Sequence, residues 1–375
     1  MKILAIESSC DETATAIIEN QHYLISNSIS SQIKIHQKYG GVVPELASRN
    51  HLYAIIPLLE DAIKPLIKED SKTSKAEDYA KYISENIDAI AVTKGPGLMG
   101  SLLVGVMAAK TLAMVFKKPL IGVHHIEGHI FANFLKEKTE ENKTLPSYPF
   151  VCLVVSGGHT DLVYVEKESQ YTYIGRTRDD AAGECFDKAA RYLGLGYPGG
   201  PIIEKVAQKG NPYFLKFPKV NLRSNQEDCD LDFSFSGLKT EVTMYKEKLP
   251  INASSSSDKD RFFSRAGKRA VKNISLPDLT ACLQESIVNI LVDNTVKAAK
   301  KCKTNTILMA GGVSANRRLR EVMASKCHEN NLKLFYPPIK YCTDNAAMIA
   351  AAAYPKLLKK SFDDFNLTPA SRINL

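Results

Sequence analysis

His124-His125-Ile126-Glu127-Gly128-His129 is the segment whose residue types and spacing point most directly to chemistry. His125 and His129 stand four apart, so on a helix both imidazoles project from one face at the spacing of a metal-binding pair. A zinc protease of the His-Glu-x-x-His type carries its general base directly after the first histidine. Here Glu127 comes two residues after His125, about 200° around a helix of about 3.6 residues per turn, which turns it away from a metal on the histidine face. Two surface or capping histidines would show the same spacing, so a third ligand is needed. Tyr341-Cys342-Thr343-Asp344-Asn345 offers Asp344, just ahead of an alanine-rich helical stretch from Ala346 to Tyr354. Two imidazoles plus one carboxylate leave coordination positions open, as catalytic metal sites do.

Three paired-glycine turns suit an anionic nucleotide. They are Ser156-Gly157-Gly158-His159-Thr160, Tyr197-Pro198-Gly199-Gly200-Pro201, and Met309 to Asn316 with Gly311-Gly312. Such turns let backbone amides approach a ligand closely, and a helix start adds positive dipole character. Any one of them alone is an ordinary turn; three at element ends in one half of the chain favour a cleft. Gly95-Pro96-Gly97-Leu98-Met99-Gly100 matches the dinucleotide fingerprint, yet Pro96 removes an amide, and Phe116-Lys117-Lys118-Pro119 stands where a ribose-binding acid belongs. It reads as a tight strand-to-helix turn. No phosphate-binding G-x-x-x-x-G-K-[ST] loop occurs, which argues against a P-loop NTPase.

The elements that must position these residues form a repeat. Lys2 to Glu7, Thr13 to Ile18 and His22 to Ile29 read as three strands joined by polar turns, and Phe150 to Val155, Thr160 to Val165 and Gln170 to Ile174 read the same way. Each triplet is followed by helices and further strands, so an α/β fold with a duplicated unit is expected. Pro44 to Ile67 has helix-spaced apolar residues, and Lys68 to Glu85 is a charge-rich, partly helical surface segment. Ser101 to Phe116 is a helix apolar on nearly all sides, so it needs cover from its own sheet or from a partner.

Composition narrows the class. At 375 residues, 44% hydrophobic and 24% charged, the chain has ordinary globular composition and room for two domains. The longest apolar run carries Lys110 and falls short of the ~18 residues of a membrane span, so no membrane association is expected. Lys2 to Ile6 is too short for a signal peptide, and Glu7 and Asp11 make the start too acidic for a transit peptide, which suits a cytoplasmic protein. Eight cysteines without a C-x-x-C pair suggest free thiols. A formal charge of +8 is compatible with RNA without requiring it. The serine- and lysine-rich segment Asn252 to Ser275 reads as a solvated loop rather than an RNA-binding arm.

Taken together, several long motifs resemble the TsaD family of tRNA N6-adenosine threonylcarbamoyltransferases, in its bacterial form. They are Ile6-Glu7-Ser8-Ser9-Cys10-Asp11-Glu12-Thr13, Gly40 to Arg49, the His-His-Ile-Glu-Gly-His segment, Val155 to Thr160, Asp180 to Glu184, Asp232 to Thr240, Ala310 to Asn316, and Cys342 to Asn345. The resemblance implies two actin-like, ribonuclease H-like domains with a cleft between them: residues 1–123 with 354–375, and residues 124–353. It implies transfer of the threonylcarbamoyl group from threonylcarbamoyl-AMP to N6 of adenosine 37 in tRNAs reading ANN codons. By the same resemblance, His125, His129 and Asp344 hold one divalent metal, Fe2+ with Zn2+ or Mn2+ as alternatives. Val154, Val155, Ser156, Gly157, Gly158, Asp187, Gly200 and Asn316 contact the threonylcarbamoyl-adenylate. Asp11 and Glu12 would face the cleft, as acid–base groups or as plain turn residues. Implied partners are tRNA, the inert paralogue TsaB on the apolar helix, and the ATPase TsaE. Two other activities would use the same residues: a metalloprotease of the glycoprotease type, and an actin-like ATPase.

Overall fold

β1 (Lys2–Glu7), β2 (Glu12–Glu19) and β3 (Tyr23–Ser31) form an antiparallel meander, and β1 is buried along nearly its whole length. Such a strand must be covered on both faces, which is why its sequence is an almost unbroken apolar run. The computed structural model describes residues 1–67, 75–137, 139–140, 143–217, 230–246 and 274–375. After the meander come α1 (Ile33–His36), α2 (Pro44–Ile63), α3 (Lys75–Asn86), β4 (Ala89–Gly95), α4 (Met99–Val115), β5 (Leu120–His124) and α5 (His125–Phe131). The second unit comprises β6 (Phe150–Val155), β7 (Thr160–Lys167), β8 (Gln170–Arg176), α6 (Ala182–Leu193), α7 (Gly199–Ala207), α8 (Ser236–Lys246) and α9 (Leu276–Lys301). It continues with β9 (Thr306–Ala310), α10 (Arg317–Glu329), β10 (Lys333–Phe335) and α11 (Ala346–Leu358).

The two five-stranded sheets have the same order, β3-β2-β1-β4-β5 and β8-β7-β6-β9-β10. In each, an antiparallel meander is extended by two parallel strands, so the duplicated pattern read from the sequence is present strand for strand. One face of the first sheet packs on α2 and α4 through Leu4, Ile6, Ile55, Leu59, Val106 and Ala109. The far face of the second sheet packs on α6, α7 and α9 through Leu153, Phe186, Ile203 and Leu283. Between the sheets lie α5 and α11, in a core shared by Ala5, Ile126, Ile130, Cys152, Val154 and the alanines of α11.

That placement explains why α11 is rich in alanine: Ala346, Ala347 and Ala350 to Ala353 are all buried, and small side chains let this helix pack closely between the layers. Gly128 serves the same approach, because a Cβ there would meet Ile349 Cδ1 at 2.6 Å. The domain limit expected between residues 353 and 354 falls inside α11.

The Gly95–Gly100 turn joins β4 to α4 and is filled from both sides. A Cβ on Gly97 would meet the Ser9 carbonyl oxygen at 2.5 Å, and one on Gly95, at φ +148°, would meet the Ala370 carbonyl oxygen at 2.1 Å. α4 is covered on one side only. Leu102, Val106, Ala109 and Ala113 are buried, whereas Met99, Leu103, Met107 and Met114 are exposed, as are Leu52, Tyr53 and Ile56 on the neighbouring α2. Residues after α11 strap the first sheet: Gly122 N donates to Asp363 Oδ2 (2.7 Å) and Ala370 N to the Lys94 carbonyl (2.8 Å). Among the described residues every cysteine is unpaired, and no helix is long and apolar enough to cross a membrane. Residues 68–74 and 247–273, and with them most of Asn252 to Ser275, lie outside the described residues.

Candidate metal and nucleotide centre

Two helix starts create the histidine–aspartate cluster. Asn345 caps α11, its Oδ1 accepting from Met348 N at 3.0 Å, and this fixes Asp344 one residue earlier. His124 caps α5, its Nδ1 accepting from Ile126 N at 3.1 Å. The opposite nitrogen of His124 therefore carries the proton and donates to the Ile373 carbonyl at 3.2 Å. α5 then presents His125 and His129 on one face, with rings 4.6 Å apart. His125 Nε2 lies 3.5 Å, and His129 Nε2 3.1 Å, from Asp344 Oδ1, and the three candidate ligand atoms fall within 4.8 Å of one another.

His129 decides whether these residues fit a cation. Both of its ring nitrogens are buried and make no hydrogen bond among the described residues, its approach to Asp344 being outside hydrogen-bond geometry. An unpaired buried polar group costs about 1–3 kcal/mol, and a divalent ion shared with His125 and Asp344 would satisfy Nε2. Two imidazoles and a carboxylate suit a divalent transition metal.

The charges are interlocked. Burial would lower the His125 pKa, but Asp344 and Glu7 outweigh it and raise it to about 9. Burial would raise Asp344, but His125 and His129 hold it well below the usual carboxylate range. His159, whose ring centroid is 6.3 Å from that of His125, is pushed down to about 3 by burial and the neighbouring His125, so it stays neutral. Glu127 points away from the cluster, as its helical phase predicts: Oε1 accepts from Tyr171 Oη (2.8 Å) and Oε2 from Lys356 Nζ (2.9 Å).

Asp11 is buried on the first hairpin turn, next to Glu12 at the start of β2. Glu12 Oε1 accepts from Ser31 Oγ at 3.1 Å, and burial, with Asp11 and Asp344 adding to it, pushes its carboxyl up to about 9. Asp11 also adds to the negative field at Asp187 and Tyr197 of the second unit, so the two units face each other here.

The equivalent turn of the second unit is open. Gly157 and Gly158 are exposed, and a Cβ on either would meet nothing within 4 Å. Gly183, at the start of α6, does not share that freedom: its Cβ would meet the Ser156 carbonyl oxygen at 2.5 Å, so α6 begins directly against the turn. Val154 and Val155 are fully buried, leaving only their backbone for a ligand. Gly311, at φ +87°, lies against the Val155 carbonyl oxygen, where a Cβ would stand at 2.4 Å. Asp187 Oδ1 accepts from Gly199 N at 2.7 Å, and Gly200 next to it has open space.

Asn316 is largely committed, its Oδ1 accepting from Leu319 N (2.9 Å) and its Nδ2 donating to Gln284 Oε1 (3.0 Å). Gln284 also lines a cavity of about 470 Å³ with Glu204, Ala207, Tyr213, Glu285 and Arg318. Glu204 and Gln284 are residues that the motif reading passed over; Glu204 lies one helical turn after Gly200 on α7 and could have been found from that spacing. Glu7, which contacts His125, was passed over because it reads as the end of a buried strand.

The sequence model of TsaD, tRNA N6-adenosine threonylcarbamoyltransferase, matches residues 23–351. The chain belongs to the TsaD family. It is 47% identical over 373 residues to the tRNA N6-adenosine threonylcarbamoyltransferase of Clostridium perfringens (strain SM101), covering 100% of this chain and 98% of that relative. The relative of the same description in Clostridium botulinum (strain 657) is 45% identical over 371 residues, covering 98% and 97%. Full-length HypF in its phosphate- and nucleotide-bound form superposes on 96% of this chain and 56% of its own, with a TM-score of 0.56 and 12% identity, a likeness of fold alone. The duplicated architecture is thus the actin-like ATPase fold, carried by an acyltransferase of the TsaD family that acts in tRNA threonylcarbamoylation.

Proposed function

We propose that this TsaD-family chain transfers the threonylcarbamoyl group of threonylcarbamoyl-AMP to N6 of adenosine 37 in tRNAs reading ANN codons, with AMP as the leaving group. The observation that carries the reading is the His125–His129–Asp344 cluster standing between a buried acidic turn and an open glycine turn. In the reaction, a bond forms between N6 and the carbamoyl carbon, and the bond from that carbon to the phosphate oxygen breaks.

His125, His129 and Asp344 hold one divalent cation, of iron type by the family resemblance. When bound, such a cation supplies Lewis acidity for a carbonyl and an anchor for substrate oxygens. The amides of Gly157 and Gly158, with the start of α6 behind them, hold the phosphate and take up negative charge as AMP departs. Asp187 and Gly200 at the start of α7 border the nucleoside, and the cavity along α7, α9 and α10 receives its adenosine. Glu12, whose carboxyl burial holds above the ordinary range, hydrogen-bonds as an acid, while Asp11 takes the proton lost by N6.

The remaining partners follow from the family resemblance. The exposed apolar strip of α2 and α4 is where TsaB docks; by the family resemblance TsaE acts on that assembly, and the chain, with a formal charge of +8, receives tRNA in the cytoplasm. Unchanged co-elution with TsaB after charged substitutions at Leu103 and Met107 would reject that docking site. The function itself is tested by mass spectrometry of tRNA nucleosides after incubation with threonylcarbamoyl-AMP, TsaB and TsaE. Formation of N6-threonylcarbamoyladenosine is expected. Its absence with folded, metal-loaded protein would overturn the proposal.

A further inference from the structure

We propose that Glu7 is the positioning residue of the metal centre: it holds His125 in the one ring state whose Nε2 is free to bind a cation. The inference rests on the reading of His125, His129 and Asp344 as metal ligands and adds a residue that does not itself touch the metal.

Glu7 is fully buried at the end of β1. Its Oε1 accepts from Ser9 N at 2.5 Å, and its Oε2 accepts from Thr93 Oγ1 and faces His125 Nδ1 at 3.4 Å. Ser9 Oγ stands 3.2 Å from the same nitrogen. A carboxylate only accepts hydrogen bonds, so the ring nitrogen facing it must carry a proton. With Nδ1 protonated, the lone pair of a neutral ring lies on Nε2, the atom aimed at Asp344. The partner of a ligating histidine's second nitrogen fixes ring orientation and raises ligand basicity. His129 has no such partner among the described residues: its Nδ1 is buried and makes no hydrogen bond there. Orientation of the pair therefore depends on His125, and through it on Glu7.

Glu7→Gln separates charge and hydrogen-bond polarity from shape. The amide oxygen must stay against Ser9 N, which donates to it. The amide –NH2 then occupies the Oε2 position and meets His125 Nδ1. Two donors cannot face each other, so Nδ1 gives up its proton, the ring carries it on Nε2, and Nε2 can no longer bind a metal.

The test is a titration of Zn2+ and Co2+ against a chromophoric chelator, using the full chain. Glu7→Gln is expected to weaken binding about 10–100-fold and to alter the visible Co2+ spectrum, while Glu7→Asp, which keeps an acceptor, recovers part of the loss. Asp344→Ala is the control. Folded Glu7→Gln that binds as tightly as wild type, beside an Asp344→Ala that does not, overturns the role of Glu7. Wild-type binding by both variants instead overturns the metal reading beneath it. Should Glu7→Gln fail to fold, nitrogen NMR of zinc-loaded wild-type protein still decides: His125 is expected to show a protonated Nδ1 and a metal-bound Nε2, and a metal-bound Nδ1 refutes the proposal.

Discussion

The turn between β1 and β2 and the turn between β6 and β7 occupy the same place in two copies of one topology, and both reach His125: Ser9 Oγ lies 3.2 Å from its ring and the His159 ring centroid 6.3 Å away. Their chemistry is opposite. The first turn is buried and built from side chains, with Glu7, Ser8, Ser9 and Asp11 all nearly or fully inaccessible. The second is exposed and built from backbone, with Gly157 and Gly158 leaving space where side chains would stand. Duplication supplied two equivalent hairpins, and the sequence divided the work between them. On the proposed reading, one supports ligands of a cation and the other offers amides to an anion.

The sharpest way to break the contrast is to remove the group between the turns. Asp344→Ala and His129→Ala should lose bound metal and at least about a thousandfold of transfer, because a bound cation contributes several kcal/mol of charge stabilisation and each 1.4 kcal/mol is tenfold. Metal content by mass spectrometry and modified nucleoside by chromatography check this; stoichiometric metal in Asp344→Ala would refute the site.

The second turn should respond differently at neighbouring glycines. Gly183→Ala collides with the Ser156 backbone and should cost about 1–3 kcal/mol of stability by overpacking, seen as a lower Tm. Gly158→Val meets open space, so Tm should hold while KM for the adenylate rises about tenfold. Equal Tm losses in both variants would erase the distinction.

Asp161, paired across from Val154 just after the second turn, is the buried acid of the open side. Burial pushes its carboxyl up to about 6, with Arg176 acting against the rise. A raised acid folds best protonated, so stability is full below its ordinary value near 3.8 and falls as pH climbs to about 6. Asp161→Asn removes that loss: its advantage over wild type in chemical denaturation should grow between those limits and level off at no more than about 3 kcal/mol. A pH-independent difference would contradict the assignment.

Least affected should be Glu127→Gln. Its carboxylate is turned toward Tyr171 and Lys356, so metal content and transfer should stay at the wild-type level. If this variant alone were inactive, a protease mechanism would return.

Much of this arrangement is legible in the sequence because it rests on local periodicity. The strand triplets alternate and are bounded by turns; the four-residue histidine spacing and the phase of Glu127 follow from helix geometry alone. What escaped is what only packing decides. An alanine-rich stretch announces a helix but not that it lies between two sheets, and that position is what brings Asp344 beside α5. Glu7 looks like the polar end of a strand until Thr93 and His125, far along the chain, close around it. Glu204 and Gln284 carry no motif, and their cavity exists only where α7, α9 and α10 meet.

Asp344 lies 215 residues after His129 in the chain, and the wall behind α5 is finished later still, by the bond between His124 and Ile373 across 249 residues. A ribosome-bound nascent chain that has both histidines but not yet Asp344 has no carboxylate to complete the set. On the proposed metal reading, capture is therefore a late event in the life of the polypeptide: it follows synthesis and docking of α11, and it cannot guide the folding of the first sheet.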